Sequence, residues 1–470
     1  MSRSRTGSGT GELLVEIQRD STVPLHQQLE TGIRERIREG LLRADAVLPS
    51  SRALASDLGL SRGVVVEAYQ QLVAEGYLVS RAGGYTQVAQ AAARSLQAAR
   101  AGQKVAGPPR IDFRYSHPDV TQFPRAAWLR SFRRVLNETP HRTFSYLSGQ
   151  GALELREALA DYLNRVRGTS ARPENMLICH GFAQGSRLLF QVLVAAGYRR
   201  IALEDPSDND VRDVAVTAGL ETVGVPVLDS GVDVEALDRS GADLVLVTAA
   251  HQMPTGAVAS PETRTALVEW AVRRNALILE DDYDAEYRYD REPIGAIQGL
   301  APDRVVYAGT ASKTLAPGLR LGWLILPDAL VEPLAAAKLT DDRGSSVLDQ
   351  LTFADFIVRG EFDRHLRRMR PRYRSLRDLL VEQLADQLPD FKPVGISAGL
   401  HVLAWLPPDL PAETVAEAAR TRDVGVHPLT PYWFNPPGPP GLVFGYGGLT
   451  EQSVAEGISL LAGAVRTLEP

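Results

Sequence analysis

Cysteine is nearly missing from the sequence: Cys179 is the only one in 470 residues. A disulfide framework and a cysteine-rich metal site are thereby excluded, and no metal-ligating set is read from the sequence. Cys179 follows the apolar run Met176–Ile178 and is expected to be a small buried core residue. Long apolar runs are missing too. None approaches 18 residues, so no membrane-spanning helix is expected. The first residues, MSRSRTGSGTGELLVE, lack the apolar centre of a signal peptide. Residues 1–21 are therefore expected to be a disordered leader, and the protein to be cytoplasmic. A strong charge excess is also lacking. Lys and Arg number 51 against 57 Asp and Glu, a net charge of −6, which argues by itself against nucleic acid. Distribution matters more than the total: between Glu75 and Asp112 there is no acidic residue, whereas Arg81, Arg94, Arg100, Lys104 and Arg110 fall there. A solvated linker accounts for most of that excess.

What is present divides into segments, as a chain too long for one core should. From Pro24, a good helix-opening residue, Leu25, Leu29, Ile33, Ile37 and Leu41 recur every four residues as one apolar helix stripe. In LPSSRALASDLGLSRGVVVEAYQQL, Ser50 or Ser51 can cap a short helix carrying Leu54 and Leu58. Gly59 supplies a tight turn. Ser61 caps a second helix with Val65, Ala68, Tyr69 and Leu72 on its inner face. Two short helices joined by a Gly-containing turn form a helix-turn-helix, and the short strands YLVS and YTQV around RAGG form a hairpin, or wing. A helix-turn-helix places the start of its second helix in the major groove. Ser61, Arg62, Gly63 and Val64 stand there, and Arg62 can reach guanine O6 and N7. Arg52 is placed for a phosphate or a base edge. Spacing alone also allows a small helical interaction domain with two surface arginines.

Residues 89–110, AQAAARSLQAARAGQKVAGPPR, hold almost no large apolar residue and end in Pro-Pro, so they read as an interdomain tether. From Ile111 onward helical patterns alternate with the short apolar runs MLIC, RRIALE, TVGVPV, ADLVLVT, NALILE, RVVYAG and LGWLIL. Alternation of this kind predicts βαβ units and a largely parallel sheet, with ligands at the carboxyl ends of its strands. The polar clusters HGFAQGS, HQMPTG, EDDYD and GTASK fall at those ends. Lys313, in a sheltered loop, can lose its proton and form a Schiff base with an aldehyde. Pyridoxal 5′-phosphate is an aldehyde cofactor that pairs such a lysine with an acid for its ring nitrogen. Asp281 suits that nitrogen, and Tyr283 suits the ring hydroxyl oxygen. Arg320, the hydroxyls of Thr310 and Ser312 and the amides at Phe182–Ala183 suit the phosphate.

The pattern LPSSR…LA…LG.SR…AY..L..EGYL resembles the winged helix-turn-helix of GntR-family bacterial regulators over residues 22–88. Carried over by position, Arg52, Ser61, Arg62 and Gly63 would contact operator DNA, with Gly83 at the wing tip. The segments YLSGQGALELREALADYLNRVRG, HQMPTG, EDDYDAEYRYD, GTASKTLAPGLRLGW and EFDRHLRRMRPRY resemble fold-type I aminotransferases, and more narrowly the MocR subgroup of GntR regulators. The resemblance implies an α/β fold-type I domain over 111–470, with a large subdomain near 150–340. A small subdomain would take 341–470 and the domain's N-terminal part. It implies Lys313 as the Schiff-base lysine, Asp281 and Tyr283 on the ring, and Arg320 and Thr310 on the phosphate. Tyr146 would reach the neighbouring subunit's phosphate in a head-to-tail homodimer.

Several departures from the pattern stand out. Val64 replaces a frequent Thr, and GGYT replaces a GSGT wing. Met253 stands where aminotransferases keep the Asn of NPTG. Asp208, in EDPSD, stands where a Tyr should stack on the ring, although it can hold an amine-bearing effector. GLVFGYGGL has no arginine to clamp a substrate carboxylate, and the nearby Arg422 is not at that position. The leading expectation is a regulator that binds operator DNA as a homodimer and senses pyridoxal phosphate, or an amine or amino acid, at Lys313, without physiological turnover. The alternatives are a working aminotransferase with an appended DNA-binding domain, and a DNA-binding dimer whose cofactor site is degenerate.

Overall fold

A computed structural model describes residues 17–38, 40–81, 85–90, 109–114, 117–289, 294–435 and 438–468. The chain divides into two compact units, Met1–Gly107 and Pro108–Pro470. The wing residue Gly83 and most of the 89–110 tether lie outside the described residues.

The first unit contains helices α1 (Leu25–Arg38), α2 (Ser51–Leu58) and α3 (Arg62–Ala74), then strands β1 (Leu78–Ser80) and β2 (Thr86–Val88) paired antiparallel. Leu29, Ile33 and Ile37 of α1 are buried against Val65, Ala68 and Leu72 of α3. The expected stripe fails at its last member. Leu41 is 61% exposed, because Gly40 takes a φ of 74° and turns the chain off the helix axis one residue earlier. Ser50 Oγ accepts from the Ala53 amide at 3.2 Å and so caps α2, while Gly59, at a φ of 63°, ends it in a left-handed turn. Tyr69 donates its hydroxyl to the Pro49 carbonyl at 2.9 Å, and Arg34 pairs with Glu75 at 2.8 Å, tying α3 to the chain before α2 and to α1.

The second unit is built on an eight-stranded sheet. Its strands are β4 (Met176–Cys179), β5 (Arg200–Asp205), β6 (Glu221–Leu228), β7 (Gly231–Val232), β8 (Leu244–Val247), β9 (Leu277–Asp282), β10 (Val305–Thr310) and β11 (Gly322–Ile325). β3 (Ile111–Asp112) lies outside it. The spatial order is β4-β11-β10-β9-β8-β5-β6-β7. Neighbours from β10 to β6 run parallel, whereas β11 is antiparallel to both β10 and β4, and β7 turns back on β6. Helices cover both faces, which is why the strands read as apolar runs and not as alternating patterns. Leu177, Cys179, Leu279, Ala308 and Leu324 pack on the side of helix Phe182–Ala195, and Ala202, Val245, Val247 and Ile278 pack on the side of Trp270.

A second sheet of four strands follows: β12 (Lys392–Val394), β13 (His401–Trp405), then, beyond β14 (Val424–Gly425), β15 (His427–Pro428) and β16 (Gly441–Gly445). β3 pairs parallel with β14, which carries the start of this unit to its C-terminal part. Among the described residues no helix is long and apolar enough to cross a membrane.

Candidate cofactor site and reading helix

Strand alternation decides which of two adjacent aspartates serves a site. Asp281 is opposite Ala308 in the register, on the face that also carries Thr310; Asp282 is opposite Gly309, on the face of Tyr307. Asp282 accepts from Tyr307 Oη and Arg167 Nε, both at 2.7 Å, and is buried. Asp281 lines a cavity of about 500 Å³ at the carboxyl ends of β5, β8, β9 and β10. Tyr283, Thr310, Ser312, Lys313, Arg320, Phe182, Ala183 and Asp208 line the same cavity. Eight of the nine residues expected at the cofactor, and the effector candidate, are therefore brought together by the fold. The ninth, Tyr146, is 87% exposed and lies beside Asp342 and Gly344, away from this cavity.

Electrostatics suit an aldehyde-binding amine. Burial lowers the affinity of Lys313 for its proton, against Asp284, Asp281 and Asp208, which favour the charged form. Burial, then the charges of Asp282, Asp284 and Asp208, push the Asp281 carboxyl well above its usual range. A protonated ring nitrogen would offset that crowding. Burial also raises Tyr283 and keeps its phenol a donor; the hydroxyl donates to the His251 carbonyl at 3.0 Å.

The opposite end of the cavity is built for an anion. Helix Phe182–Ala195 begins at Gly181, with a φ of 79° and no side-chain cap, so its first amides have no side-chain acceptor. Arg320, itself left-handed at a φ of 51°, donates to the His180 carbonyl at 2.5 Å. A Cβ on Gly181 would come within 3.3 Å of its guanidinium, so glycine keeps this cradle open. Thr310 Oγ1 donates to Ser312 Oγ at 2.9 Å and accepts from the Ser312 amide, presenting two hydroxyls beside the helix start.

The sequence reading missed Arg114, His117, Ser186, Thr248, His427 and Tyr432, which line the cavity as well. No periodicity marks them. Arg114 and His427 meet there because β3 pairs with β14, some 310 residues along the chain. Arg114 is engaged twice by Asp112, at 2.8 Å each. Glu204, also on the wall, accepts from Thr248 Oγ1 at 2.6 Å and, with Gln252, fixes the loop that carries Met253. Asp208 caps helix Asn209–Ala218 by accepting from the Asp210 amide at 3.1 Å.

In the first unit, Ser61 Oγ accepts from the Val64 amide at 3.4 Å and caps α3. Arg52, Ser61, Arg62 and Gly63 are exposed and Val64 is half-buried, so the start of α3 presents these residues outward.

Comparison with known proteins joins the two halves. Residues 25–88 match the family described as bacterial regulatory proteins, gntR family, and residues 115–438 match aminotransferase class I and II. The chain is 33% identical over 479 residues to the probable rhizopine catabolism regulatory protein MocR of Rhizobium meliloti, covering 97% of each. The chain belongs to the MocR subgroup of GntR-family regulators. This MocR-type chain is also 32% identical to the pyridoxine biosynthesis transcriptional regulator PdxR of Corynebacterium glutamicum, over 93% of this chain and 95% of that one. Among solved structures it is similar to an archaeal alanine:glyoxylate aminotransferase (26% identity, TM-score 0.71, 80% of this chain and 95% of that one). It has the fold of the kynurenine aminotransferase of Pyrococcus horikoshii (22%, TM-score 0.71, 80% and 94%). The cofactor implied by an aminotransferase class I and II domain is pyridoxal 5′-phosphate. The donor set fits it: an uncapped helix start with an arginine and two hydroxyls for a phosphate, a carboxyl for a ring nitrogen, and a sheltered amine for an aldehyde.

Proposed function

We propose that this MocR-type regulator binds operator DNA as a head-to-tail homodimer through the start of α3 and holds pyridoxal 5′-phosphate at Lys313. An amine or amino acid entering the same cavity is the signal. The observation that carries this reading is the convergence of Lys313, Asp281, Tyr283, Thr310, Ser312 and Arg320 on one cavity, in a chain whose other unit exposes Arg62 at a capped helix start.

When bound, the cofactor supplies an aldehyde carbon that a lysine or an incoming amine can engage. The residues divide the remaining work. The amides at Phe182–Ala183, with Arg320, Thr310 and Ser312, hold the phosphate; Asp281 keeps the ring nitrogen protonated; Tyr283 donates to the ring oxygen. Asp208 faces the same space as Lys313 and favours a cationic ligand. A ligand shifts the dimer only by binding one arrangement better than another, and two recognition helices respond because half-site spacing must match them. Turnover is not the role supported. Met253 offers no polar contact where an Asn would, and Arg114, which lines the cavity together with the phosphate-side Arg320, is held by Asp112.

The test is DNase footprinting of the promoter region with full-length protein, with and without pyridoxal phosphate and a panel of amines. Protection whose extent changes with an amine, and a parallel change in the cofactor spectrum, supports the reading. A protected footprint indifferent to cofactor and to every amine refutes it.

A further inference from the structure

Outside the cofactor cavity, the loops after β8 and β9 and the first residue of β13 bring together His251, Asp284 and His401. Their side chains are buried, and one candidate ligand atom from each lies within 4.8 Å of the others. We propose that these three residues form a binding site for a divalent first-row transition-metal ion, zinc in the first instance, with its fourth position open.

The orientation of the two imidazoles carries the argument. His251 Nε2 is 3.3 Å from the Gly395 carbonyl, and His401 Nε2 is 3.2 Å from the Pro254 carbonyl. A carbonyl can only accept, so each Nε2 bears the hydrogen. In the neutral ring the lone pair then sits on Nδ1. His251 Nδ1 faces Asp284 Oδ2 at 3.0 Å and Tyr283 Oη at 3.2 Å. His401 Nδ1 is buried and, among the described residues, has no hydrogen-bond partner. The two rings are 4.7 Å apart between centroids. Nε2–H groups tied to backbone carbonyls, which leave the Nδ1 atoms to an ion, are the outer arrangement that fixes metal-bound histidines.

A purely hydrogen-bonded arrangement accounts for only part of this. A protonated His251 would satisfy Asp284 but leave His401 Nδ1 a buried acceptor with no donor. A cation at the centre engages both lone pairs and the carboxylate together. Two imidazoles and one carboxylate suit zinc, with bonds of about 2.0–2.2 Å that draw ligand atoms to about 3.3 Å apart; the widest pair here closes on binding. Gly399 makes the close packing possible: at a φ of 79°, a Cβ there would lie 2.1 Å from His251 Cε1 and 2.5 Å from Asp284 Oδ2. Tyr283 lines the cofactor cavity, so an ion here sets the partner of its hydroxyl and couples metal occupancy to that cavity. The three ligands are spread over 150 residues of sequence, and their grouping exists only in the fold.

The experiment uses full-length protein with any affinity tag removed, stripped by a chelator and dialysed. Zn²⁺ is then titrated in competition with a chromophoric chelator, and Co²⁺ is bound in its place for its visible spectrum. The expected result is one ion per chain and the intense visible bands of a tetrahedral Co²⁺ site, with affinity falling at least tenfold in His401→Gln and in Asp284→Asn. Circular dichroism checks the fold of each variant. Should either variant not fold, the wild-type Co²⁺ spectrum decides alone. Absence of tetrahedral bands in the wild type, or wild-type affinity in both folded variants, overturns the proposal.

Discussion

Arg167 donates from Nε to Asp282 Oδ2 at 2.7 Å, with side chains 3% and 2% exposed. Burial works against the guanidinium charge, but Asp282 and Tyr307 hold it protonated. The same carboxylate accepts from Tyr307 Oη. This pair locks the end of β9 to helix Leu153–Arg167, and so turns Asp281, one residue earlier, toward the cavity. Asp282→Asn leaves a buried cation uncompensated and is expected to cost about 3–5 kcal/mol of stability. Cofactor affinity should fall with it. Chemical denaturation followed by tryptophan fluorescence reads this directly, because all five tryptophans lie in the second unit; a loss below about 1 kcal/mol would count against the pair as an anchor.

Lys313→Ala tests the amine. With pyridoxal phosphate added, wild type should develop an absorbance band near ~420 nm that borohydride removes, as a lysine joined to an aldehyde does. The variant should lack it. A band of equal strength in both would place the attachment at another residue.

Asp208 is asked two things at once, since it faces the cavity and caps helix Asn209–Ala218. Asp208→Tyr is expected to tighten cofactor binding several-fold if missing ring stacking limits affinity, at a cost of about 0.5–2 kcal/mol for the lost cap. Asp208→Asn keeps a capping side chain and removes only the charge. It should leave stability near wild type and weaken any cationic effector. Equilibrium dialysis separates the cases: weaker cofactor binding in both variants means that the carboxylate itself is required.

Arg62→Ala should abolish the specific footprint and leave the cofactor spectrum unchanged, because Arg62 belongs to the first unit and Lys313 to the second. Ser61→Ala removes the α3 cap and should cost about 1 kcal/mol. An unchanged footprint in Arg62→Ala would refute the assigned reading helix.

The pH dependence of the second unit has a definite sign. Burial pushes the Glu204 carboxyl up to about 7, against hydrogen bonds from Thr248 and Gln252, and burial also pushes Glu280 and Glu286 up to about 7. The folded state then holds more protons than the unfolded one between about pH 4.5 and 7. Stability contributed by these groups is full below that window and is lost as pH rises through it. Glu204→Gln should flatten the fall by about 1–3 kcal/mol. Melting followed by tryptophan fluorescence from pH 5 to 8 tests it; identical slopes in wild type and variant would refute the assignment.

Local chemistry made much of this protein legible in its sequence. Caps at Ser50 and Ser61, the turn at Gly59 and the inner face Val65–Leu72 follow from spacing, because helix periodicity and capping act over a few residues. The strands β4 to β6 and β8 to β11 were legible as apolar runs, and the loops of several as polar clusters, since a sheet covered on both faces needs the one and exposes the other; the two-residue β7 was not. Leu41 shows the limit of such reading: a periodic pattern does not announce that Gly40 will end the helix before it. Only the tertiary structure decided the rest. Strand β11 running antiparallel between β10 and β4, Arg114 meeting His427 at the cavity, and His251 meeting His401 are contacts across tens to hundreds of residues. Their closure is set by packing of whole elements, and no local pattern of residues encodes it.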